Sequence, residues 1–289
     1  MTISLTGLTL NGRYHVLGEV GMGKDAIVYK AHDQKLDIPV AIKALKDELP
    51  SEHHLQRFHR EAETAIALNH ENLVRVFDFG TTSDTAPFVV MEYITGLLLS
   101  LSIEIEGRLP LPKAIPILSQ ICDGMAHAHE RGIIHRDLRP NNVFLVERPG
   151  QAPLVKIVDF GVAKNLRASE EKPLTEEWEV LGTPEFMSPE QIRGLEVDHR
   201  TDIYSMGCLM YQVFTGQLPF SGRNNIEVFM QKIQGEPYDI SEPSRGRHLP
   251  PYIKAAVKQA LSKEPGERQN SMLEIKAQLL AVSPELSPG

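Results

Sequence analysis

Few features of the sequence tie it to a membrane, to nucleic acid or to an export route. Its most apolar run, residues 96–103, is too short to span a bilayer and is followed at once by acidic residues. The N-terminus has neither the basic start nor the long apolar core of a signal peptide. A net charge of −8 does not favour general binding to nucleic acid or to anionic lipid. We therefore expect a cytoplasmic protein with no membrane segment and no nucleic-acid partner.

Cysteine is also scarce. Cys122 and Cys208 lie far apart and lack the spacing of metal ligands, so we expect buried thiols in a reducing compartment. The sequence contains no internal repeats and no low-complexity segment. Its 289 residues suffice for one large domain or for two lobes.

The first ninety residues are mainly strand-like. Alternating apolar residues predict strands over 14–20, 26–31 and 39–45, and two further strand-like runs cover 72–79 and 86–93. One helix is predicted between them, with Ser51 as its N-cap. The residues expected on its apolar face are Leu55, Phe58, Ala62, Ala65 and Ile66.

After Thr95 and Gly96 the pattern becomes helical. A long helix is predicted over 112–132, although Pro116 near its start is unfavourable there. Helical periodicity continues from 201 to 276 with two interruptions, and the tail 281–289 is expected to fray. The order is therefore a small sheet-rich half followed by a larger helical half.

A glycine-rich segment, Val20–Val28, fits the pattern G-x-G-x-x-A-x-V. Such clusters also occur in ordinary hairpins and in dinucleotide-binding loops, but a dinucleotide loop should open into a helix. Here the glycines lie between two strand patterns, which predicts a hairpin tip whose backbone amides could approach phosphates. Lys43 follows on the third predicted strand, and either Glu61 or Glu63 on the next helix could fix its ammonium group.

The ordered motifs of the chain resemble the eukaryotic-like (Hanks-type) protein serine/threonine kinases of bacteria. They run from residue 14 to about 280 and include VGMGKDAIV, VAIK, IIHRDLRPNN, KIVDFG, GTPEFMSPEQ and DIYSMG. The resemblance implies a single α+β kinase domain over 1–289 with a two-lobed fold. The small antiparallel-sheet N-lobe with one main helix would span about 10–93, the hinge about 92–96 and the mainly helical C-lobe about 97–280.

The resemblance also implies the catalytic roles. Asp137 would accept or orient the substrate hydroxyl, while Asn142 and Asp159 would bind Mg²⁺, with Mn²⁺ as a substitute. A second DFG triplet, Asp78–Gly80, precedes the catalytic loop and is interpreted as a turn. Lys43 would hold ATP phosphates with Glu61, which is preferred over Glu63 because it lies nine residues before His70.

ATP is the implied cofactor, and its base would lie against the segment FVVMEY. Met91 is then the gatekeeper, the backbones of Glu92 and Ile94 would meet the base edge, and three apolar side chains would enclose the ring. The complete set expected to bind ATP is Val20, Gly21, Gly23, Ala26, Val28, Ala41, Lys43, Met91, Glu92, Ile94 and Leu145.

Structural roles follow from the same resemblance. Glu190 and Arg268 should form a buried ion pair, and Asp202 should brace the backbone of the catalytic loop.

Several residues depart from the kinase pattern. Arg139 replaces a lysine that touches the γ-phosphate, and the two side chains differ in reach and shape. Thr183 could place its hydroxyl in the same pocket. Asp25 at the glycine-loop tip could repel phosphate, with Lys24 beside it as compensation. These departures keep a pseudokinase open as the alternative to an active enzyme. A small-molecule kinase is disfavoured because GTPEFMSPE and Arg268 resemble parts that dock a protein substrate.

Regulation is expected in the activation segment. Arg136 could bind a phosphate there, and Ser169 and Thr175 are the candidate acceptors, with Glu177 as a fixed negative charge. An acidic solvated loop without a regulatory role remains an equal alternative. The expected partners are protein substrates with Ser or Thr acceptors, and a transient homodimer for trans-autophosphorylation. Leu98 and Asn141 stand where arginine-directed kinases tend to carry acids, so no strong basic requirement is predicted.

Overall fold

A computed structural model describes residues 4–23, 26–46, 52–82, 86–160, 184–241 and 249–281, without the side chains of 52–54, 57 and 61. The chain divides into two compact units between Thr95 and Gly96. No helix within the described ranges has both the length and the hydropathy needed to cross a bilayer.

The first unit contains a six-stranded antiparallel sheet. The spatial order of its strands is β1-β2-β3-β4-β6-β5, so β1 and β5 form the edges. The strands are β1 (Thr9–Leu10), β2 (Tyr14–Met22), β3 (Ala26–Asp33), β4 (Ile38–Leu45), β5 (Val76–Thr81) and β6 (Pro87–Glu92). The short β1 was not predicted, so Lys43 lies on the fourth strand and not on the third. The strand predicted over 72–79 begins only at Val76.

Alternation along the strands builds the core of this unit. Tyr29, Val40, Ile42 and Val90 are almost fully buried on one face of the sheet. Side chains alternate between the two faces along a strand. The residues directly before and after each of these four in β3, β4 and β6 therefore lie on the opposite face of the sheet.

Helix α1 (Glu52–Ile66) follows β4 and buries Phe58, Ala62 and Ala65, as its spacing predicts. Phe58 packs edge-on against Phe79 of β5, with ring centroids 6.0 Å apart. Ile66, which was predicted on the same face, is the last residue of the helix and is 39% exposed. The proposed cap Ser51 lies outside the described residues.

The triplet Asp78–Gly80 is not a turn. It lies inside β5 and pairs with β6 through the partners Asp78↔Val90 and Gly80↔Phe88. The carboxylate of Asp78 accepts a hydrogen bond of 3.0 Å from the Tyr14 hydroxyl. This first DFG triplet therefore stabilises the sheet.

The second unit is mainly helical and carries a small antiparallel sheet in the order β7-β8-β9. Its strands are β7 (Leu97–Leu98), β8 (Val143–Val146) and β9 (Leu154–Ile157). Its helices within the described ranges are α2 (Leu99–Glu106), α3 (Leu111–His129), α4 (Pro189–Ile192), α5 (Arg200–Thr215), α6 (Asn225–Gln234), α7 (Pro251–Ala260) and α8 (Met272–Leu280).

The long helix α3 accommodates Pro116 near its start. Proline cannot donate a backbone hydrogen bond, so one early bond of the helix is lost. The Gln120 side chain donates to the Pro116 carbonyl at 3.3 Å and to the Pro153 carbonyl at 3.0 Å. Its amide oxygen accepts from the Val155 backbone at 3.0 Å. Gln120 thus joins α3 to β9.

Candidate functional site

Strand register places four predicted ATP-binding residues, Val28, Ala41, Lys43 and Met91, on one face of the sheet. Val28 is the cross-strand partner of Lys43, and Lys43 is the partner of Val89. Ala41 is likewise paired with Met91. Because cross-strand partners and every second residue share a face, these five residues form one surface, here called the Lys43 face. It lies opposite the buried core.

Helix α1 is located on the same side of the sheet. Phe79, its contact on β5, is the partner of Val89 and so continues the row that contains Lys43. The helix carries position 61, although the Glu61 side chain lies outside the described residues.

The glycine-rich segment is a hairpin between β2 and β3. Gly21 is paired with Val28, and the Gly23 amide donates to the Ala26 carbonyl at 2.9 Å. Val20 is the extra residue at an irregularity in the register and is half exposed. The segment therefore does not open into a helix, which argues against the dinucleotide-loop interpretation. The tip, Lys24 and Asp25, lies outside the described residues.

The predicted base-contacting segment, FVVMEY, lies along β6 and continues just past its end. Glu92 ends this strand, and its backbone amide donates to the Arg75 carbonyl at 2.8 Å. Ile94 follows two residues later and is half-buried.

Leu145 belongs to the second unit. It lies on β8, is buried there, and is paired with Leu97 of β7. Gly96 approaches it so closely that a Cβ atom at Gly96 would lie 2.7 Å from the Leu145 carbonyl oxygen. A larger residue at position 96 would therefore push β7 away from β8.

The catalytic loop is held by Asp202 on α5. Its carboxylate accepts bonds of 2.8 Å from the backbone amides of His135 and Arg136. A third bond of 2.8 Å joins it to Nε2 of His129. Burial opposes ionisation of Asp202, but His129 and His135 stabilise the carboxylate and its net pKa is lowered. The predicted brace is confirmed.

The backbone at Arg136 needs this support because its φ of 62° lies in the left-handed region. Its carbonyl also accepts a bond of 3.1 Å from the Gln191 side chain on α4.

His135 connects the catalytic loop to the segment that carries Asp159. Its ring accepts from the Asp137 amide through Nδ1 at 3.2 Å, so Nε2 donates to the Val158 carbonyl at 2.9 Å. The same ring packs against Phe160 with centroids 4.7 Å apart. Asp159 lies between Val158 and Phe160, which both contact His135. Its own φ of 66° is in the left-handed region, which is strained for a residue other than glycine.

Asp137 and Asn142 are in direct contact. The Asn142 amide nitrogen donates to Oδ2 of Asp137 at 3.0 Å and to the Asp137 carbonyl at 2.8 Å. The Val158 amide donates to the Asn142 carbonyl at 2.9 Å, which holds the start of the Asp159 segment beside Asn142. Nε of Arg139 lies 3.9 Å from the same Oδ2 of Asp137. Arg139 is therefore close to the predicted catalytic carboxylate.

Glu190 and Arg268 form the predicted buried ion pair. The guanidinium donates to both carboxylate oxygens, at 2.7 and 2.8 Å, and Thr201 donates to Oε1 at 2.8 Å. Burial opposes the charge of Glu190, but the Arg268 bonds outweigh it and the net pKa is lowered. The pair anchors α4, which directly follows segment 184–188.

Segment 184–188 has further anchors that the sequence analysis missed. Ser205 donates to the Phe186 carbonyl at 2.8 Å, and Lys232 donates to the Met187 carbonyl at 2.9 Å. Ser188 and Gln191 form a capping box at the start of α4. The pattern S-x-x-Q predicts the capping box, whereas a single lysine gives no comparable signal.

Three predicted site residues, Thr183, Thr175 and Ser169, lie outside the described residues, as does Glu177. Within the described ranges, no group of three or more His, Cys, Asp or Glu side chains forms a cation site. The predicted metal ligands are the Asn142 amide and the Asp159 carboxylate, which do not make up a group of three such side chains.

The protein kinase domain model matches residues 14–280. The chain belongs to the protein kinase family. Members of this family use ATP with a divalent metal and act on protein substrates. Serine/threonine-protein kinase pkn3 of Myxococcus xanthus is 38% identical over 289 residues, which cover 98% of this chain and 52% of that protein. The kinase domain is therefore of the bacterial serine/threonine type, as predicted.

Solved kinases have the same fold. The Mycobacterium tuberculosis PknI kinase domain has a TM-score of 0.72 at 22% identity, over 95% of this chain and 96% of that one. A Rad53 structure in complex with AMP-PNP has a TM-score of 0.74 at 27% identity, over 92% of this chain and 64% of that one. The predicted two-lobed kinase fold is confirmed. The chain spans about half the length of the curated relatives it matches, 52% of pkn3 and 43% of Mycobacterium tuberculosis PknB.

Proposed function

We propose that this domain transfers the γ-phosphate of ATP to serine or threonine hydroxyls of proteins. The observation that carries the proposal is the contact between Asn142 and Asp137, with bonds of 2.8 and 3.0 Å. A kinase supplies little covalent chemistry and depends on positioning its reacting groups. In this chain the two groups are pre-positioned by a loop that Asp202 holds through two backbone bonds.

Asp137 is the residue proposed to orient the acceptor hydroxyl and to receive its proton. Its side chain is only 14% exposed, and Asn142 holds one carboxylate oxygen. A carboxylate held in this way keeps one orientation when the hydroxyl approaches. Removing it should therefore lower kcat more than it changes ATP binding.

Asn142 and Asp159 are the proposed ligands of the divalent cation, with Mg²⁺ as the first choice and Mn²⁺ as a substitute. The donor set suits a hard cation because both residues offer oxygen ligands. The amide nitrogen of Asn142 is already engaged with Asp137, so the amide oxygen is its atom suited to a cation. When bound, the cation neutralises charge on the ATP phosphates.

ATP is proposed to bind against the Lys43 face. Val28 and Ala41 supply apolar contact for the base, with Met91 as the gatekeeper and the backbones of Glu92 and Ile94 at the base edge. Lys43 shares this face and would hold phosphate oxygens, with Glu61 as its partner on α1. The glycine hairpin residues Val20, Gly21, Gly23 and Ala26 would cover the phosphates, and Leu145 would contribute to the base site. The AMP-PNP bound by Rad53 supports a nucleotide ligand for this fold.

Segment 184–188 is proposed to dock the protein substrate. It is anchored by two helices and by the Glu190–Arg268 pair, so it can present a fixed surface to a bound chain. Regulation is proposed to use Thr175 or Ser169 as phosphate acceptors, with Arg136 as the binding cation, and Thr183 is proposed to bring its hydroxyl to the reacting groups. Trans-autophosphorylation would require a transient homodimer.

The deciding experiment is incubation with Mg²⁺ and labelled ATP, beside the Asp159→Asn variant, followed by mapping of the labelled sites. Label in the parent and not in the variant is expected, and label on Thr175 would support the switch. Manganese in place of magnesium tests the metal preference. A rate that rises with protein concentration supports transfer between two copies. Absence of label from the parent, with ATP still raising its Tm, would contradict the proposed activity.

One observation favours a second candidate, a pseudokinase with weak transfer. Nε of Arg139 lies 3.9 Å from the Asp137 carboxylate, so the arginine can compete with the acceptor hydroxyl. Under that candidate, Arg139→Lys should raise the rate at least about tenfold, the change that one bond to a charged group can produce. A lower rate in Arg139→Lys would instead indicate that Arg139 acts in phosphate transfer.

A further inference from the structure

Lys232 on α6 is fully buried, which is unusual for a lysine. Two exposed residues of the same helix, Ile226 and Met230, lie on its opposite side. Val228 and Phe229, four and three residues before Lys232, are both buried. The helix therefore turns its lysine inward together with its apolar face.

The surroundings of the Lys232 ammonium are specific. Nζ donates to the Met187 carbonyl at 2.9 Å and lies 3.6 Å from the Cys208 sulfur. It also lies 4.8 Å from the centre of the Tyr204 ring and 5.4 Å from that of Phe220. One carbonyl, one thiol, two aromatic faces and the negative charge of Glu185 thus stabilise the buried cation, while the charge of Arg268 opposes it.

Burial makes this arrangement costly. It lowers the pKa of Lys232 and raises the pKa of the neighbouring Cys208 thiol. A methionine could fill similar space without that cost, so packing alone does not explain the ammonium group. An apolar side chain at position 232 would leave the Met187 carbonyl oxygen without the hydrogen bond that Lys232 donates.

Met187 belongs to segment 184–188, and the bond from Lys232 is one of two adjacent attachments. The preceding carbonyl, that of Phe186, accepts from Ser205 on α5 at 2.8 Å. Consecutive peptide groups of the segment are therefore held by side chains from two different helices. Such double attachment limits both rotation and displacement of the segment.

We infer that Lys232 is a positioning residue for the protein substrate, acting through the Met187 carbonyl that it holds. This inference rests on the proposed function, because it requires segment 184–188 to dock the acceptor protein. Lys232 makes no contact with the predicted catalytic groups Asp137 and Asn142 within the described residues. Its loss should affect acceptor binding and leave reaction of ATP with water unchanged.

The test compares the parent with Lys232→Met, which keeps the side-chain length and removes the donor. Lys276→Met is the matched control, because Lys276 pairs with Asp123 at 2.7 Å in another part of the second unit. Three quantities are measured: the KM for myelin basic protein, the rate of ATP hydrolysis without acceptor, and hydrogen exchange of residues 184–191. Tm values with and without ATP check folding. If Lys232→Met does not fold, Lys232→Gln replaces it, since its shorter side chain retains a polar end but cannot reach the same carbonyl.

In the Lys232 variant, KM for the acceptor should rise about tenfold, in keeping with the loss of one bond from a charged group. ATP hydrolysis should stay within about twofold of the parent, and exchange in 184–191 should become faster. The Lys276 variant should match the parent in KM and in exchange.

An unchanged KM, or equal losses of acceptor phosphorylation and ATP hydrolysis, would overturn the inference. If the parent itself transfers no phosphate to the acceptor, the proposed function fails, and hydrogen exchange then decides whether Lys232 restrains the segment. Unchanged exchange in that case overturns the inference as well.

Discussion

The buried pair of Arg268 and Glu190 permits a quantitative prediction for Arg268→Leu. The arginine side chain has 0% exposure and makes two bonds to Glu190. It also donates to three backbone carbonyls, those of Ser262, Arg200 and Lys263, at 2.9 to 3.0 Å. Leucine supplies none of these five donors and leaves the Glu190 carboxylate, 8% exposed, without its counter-ion.

Breaking one side of a buried ion pair costs about 3–5 kcal/mol, because the remaining charge stays out of water. This is a large fraction of the roughly 5–15 kcal/mol that stabilises a typical domain. At about 2–4 °C per kcal/mol, a loss of about 3–5 kcal/mol should lower Tm by about 6–20 °C. Differential scanning calorimetry measures the shift, and Arg131→Leu is the control. Arg131 is 44% exposed and 3.9 Å from Glu130, so its loss should change Tm by no more than about 2 °C.

A double variant separates charge from packing. With Glu190→Leu added to Arg268→Leu, no charge remains unpaired, so part of the lost stability should return. Equal Tm shifts for Arg268→Leu and Arg131→Leu would refute the reasoning. A double variant whose loss equals the sum of the two single losses would show that the charges are not coupled.

Three further outcomes are expected. The pKa of Asp33 is about 2 instead of 3.8, chiefly because Arg13 donates hydrogen bonds to its carboxylate. Ionisation of Asp33 therefore stabilises the fold above about pH 4, and this contribution disappears as the pH falls through about 2. Asp33→Asn should accordingly lose less stability than the parent over that range in urea unfolding at a series of pH values, and an identical slope would contradict this. Gly216→Ala should lower stability by at least about 1–3 kcal/mol, because φ is +75° and the new Cβ would lie 1.8 Å from the Gly107 carbonyl oxygen; an unchanged Tm would disagree. Asp202→Asn should lower kcat while ATP binding persists, because the new amide NH2 would face a backbone N–H of the catalytic loop that needs an acceptor. Steady-state kinetics and calorimetric ATP titration measure the two effects, and an equal loss of kcat and of ATP affinity would contradict the prediction.

Most of the fold could be predicted because local pattern and global packing agree. The alternation in β3 and β4 identifies strands and assigns Ile42 to the core and Lys43 to the other face. The order of motifs identifies the catalytic loop, and Asp202 follows from the resemblance. These predictions depend on spacing along the chain, which the sequence contains directly.

The failures involve information that lies in distant partners. The interpretation of Asp78–Gly80 as a turn rests on its position at the end of a predicted strand, before the catalytic loop, but a Cβ at Gly80 would lie 2.8 Å from the Phe88 ring. The glycine is therefore required by a cross-strand neighbour and does not mark a bend. His135 and Lys232 are similar cases, since their roles depend on the Val158 and Met187 carbonyls. The helical spacing that places Lys232 beside Phe229 was visible, yet it does not name the carbonyl it meets.

The register of β4 has a consequence for inhibitor resistance. Ala41 and Lys43 alternate with Val40, Ile42 and Ala44, which are packed in the core. If ATP binds against the Lys43 face as proposed, a substitution at Ala41 or at its partner Met91 alters the shape offered to an inhibitor of that site and leaves the core behind it closed. Deletion of one residue in β4 would move the core side chains to the Lys43 face and the Lys43-face side chains into the core. Both the core and the Lys43 face would then be lost. Resistance in this strand should therefore arise from point substitutions at alternate positions and not from length changes.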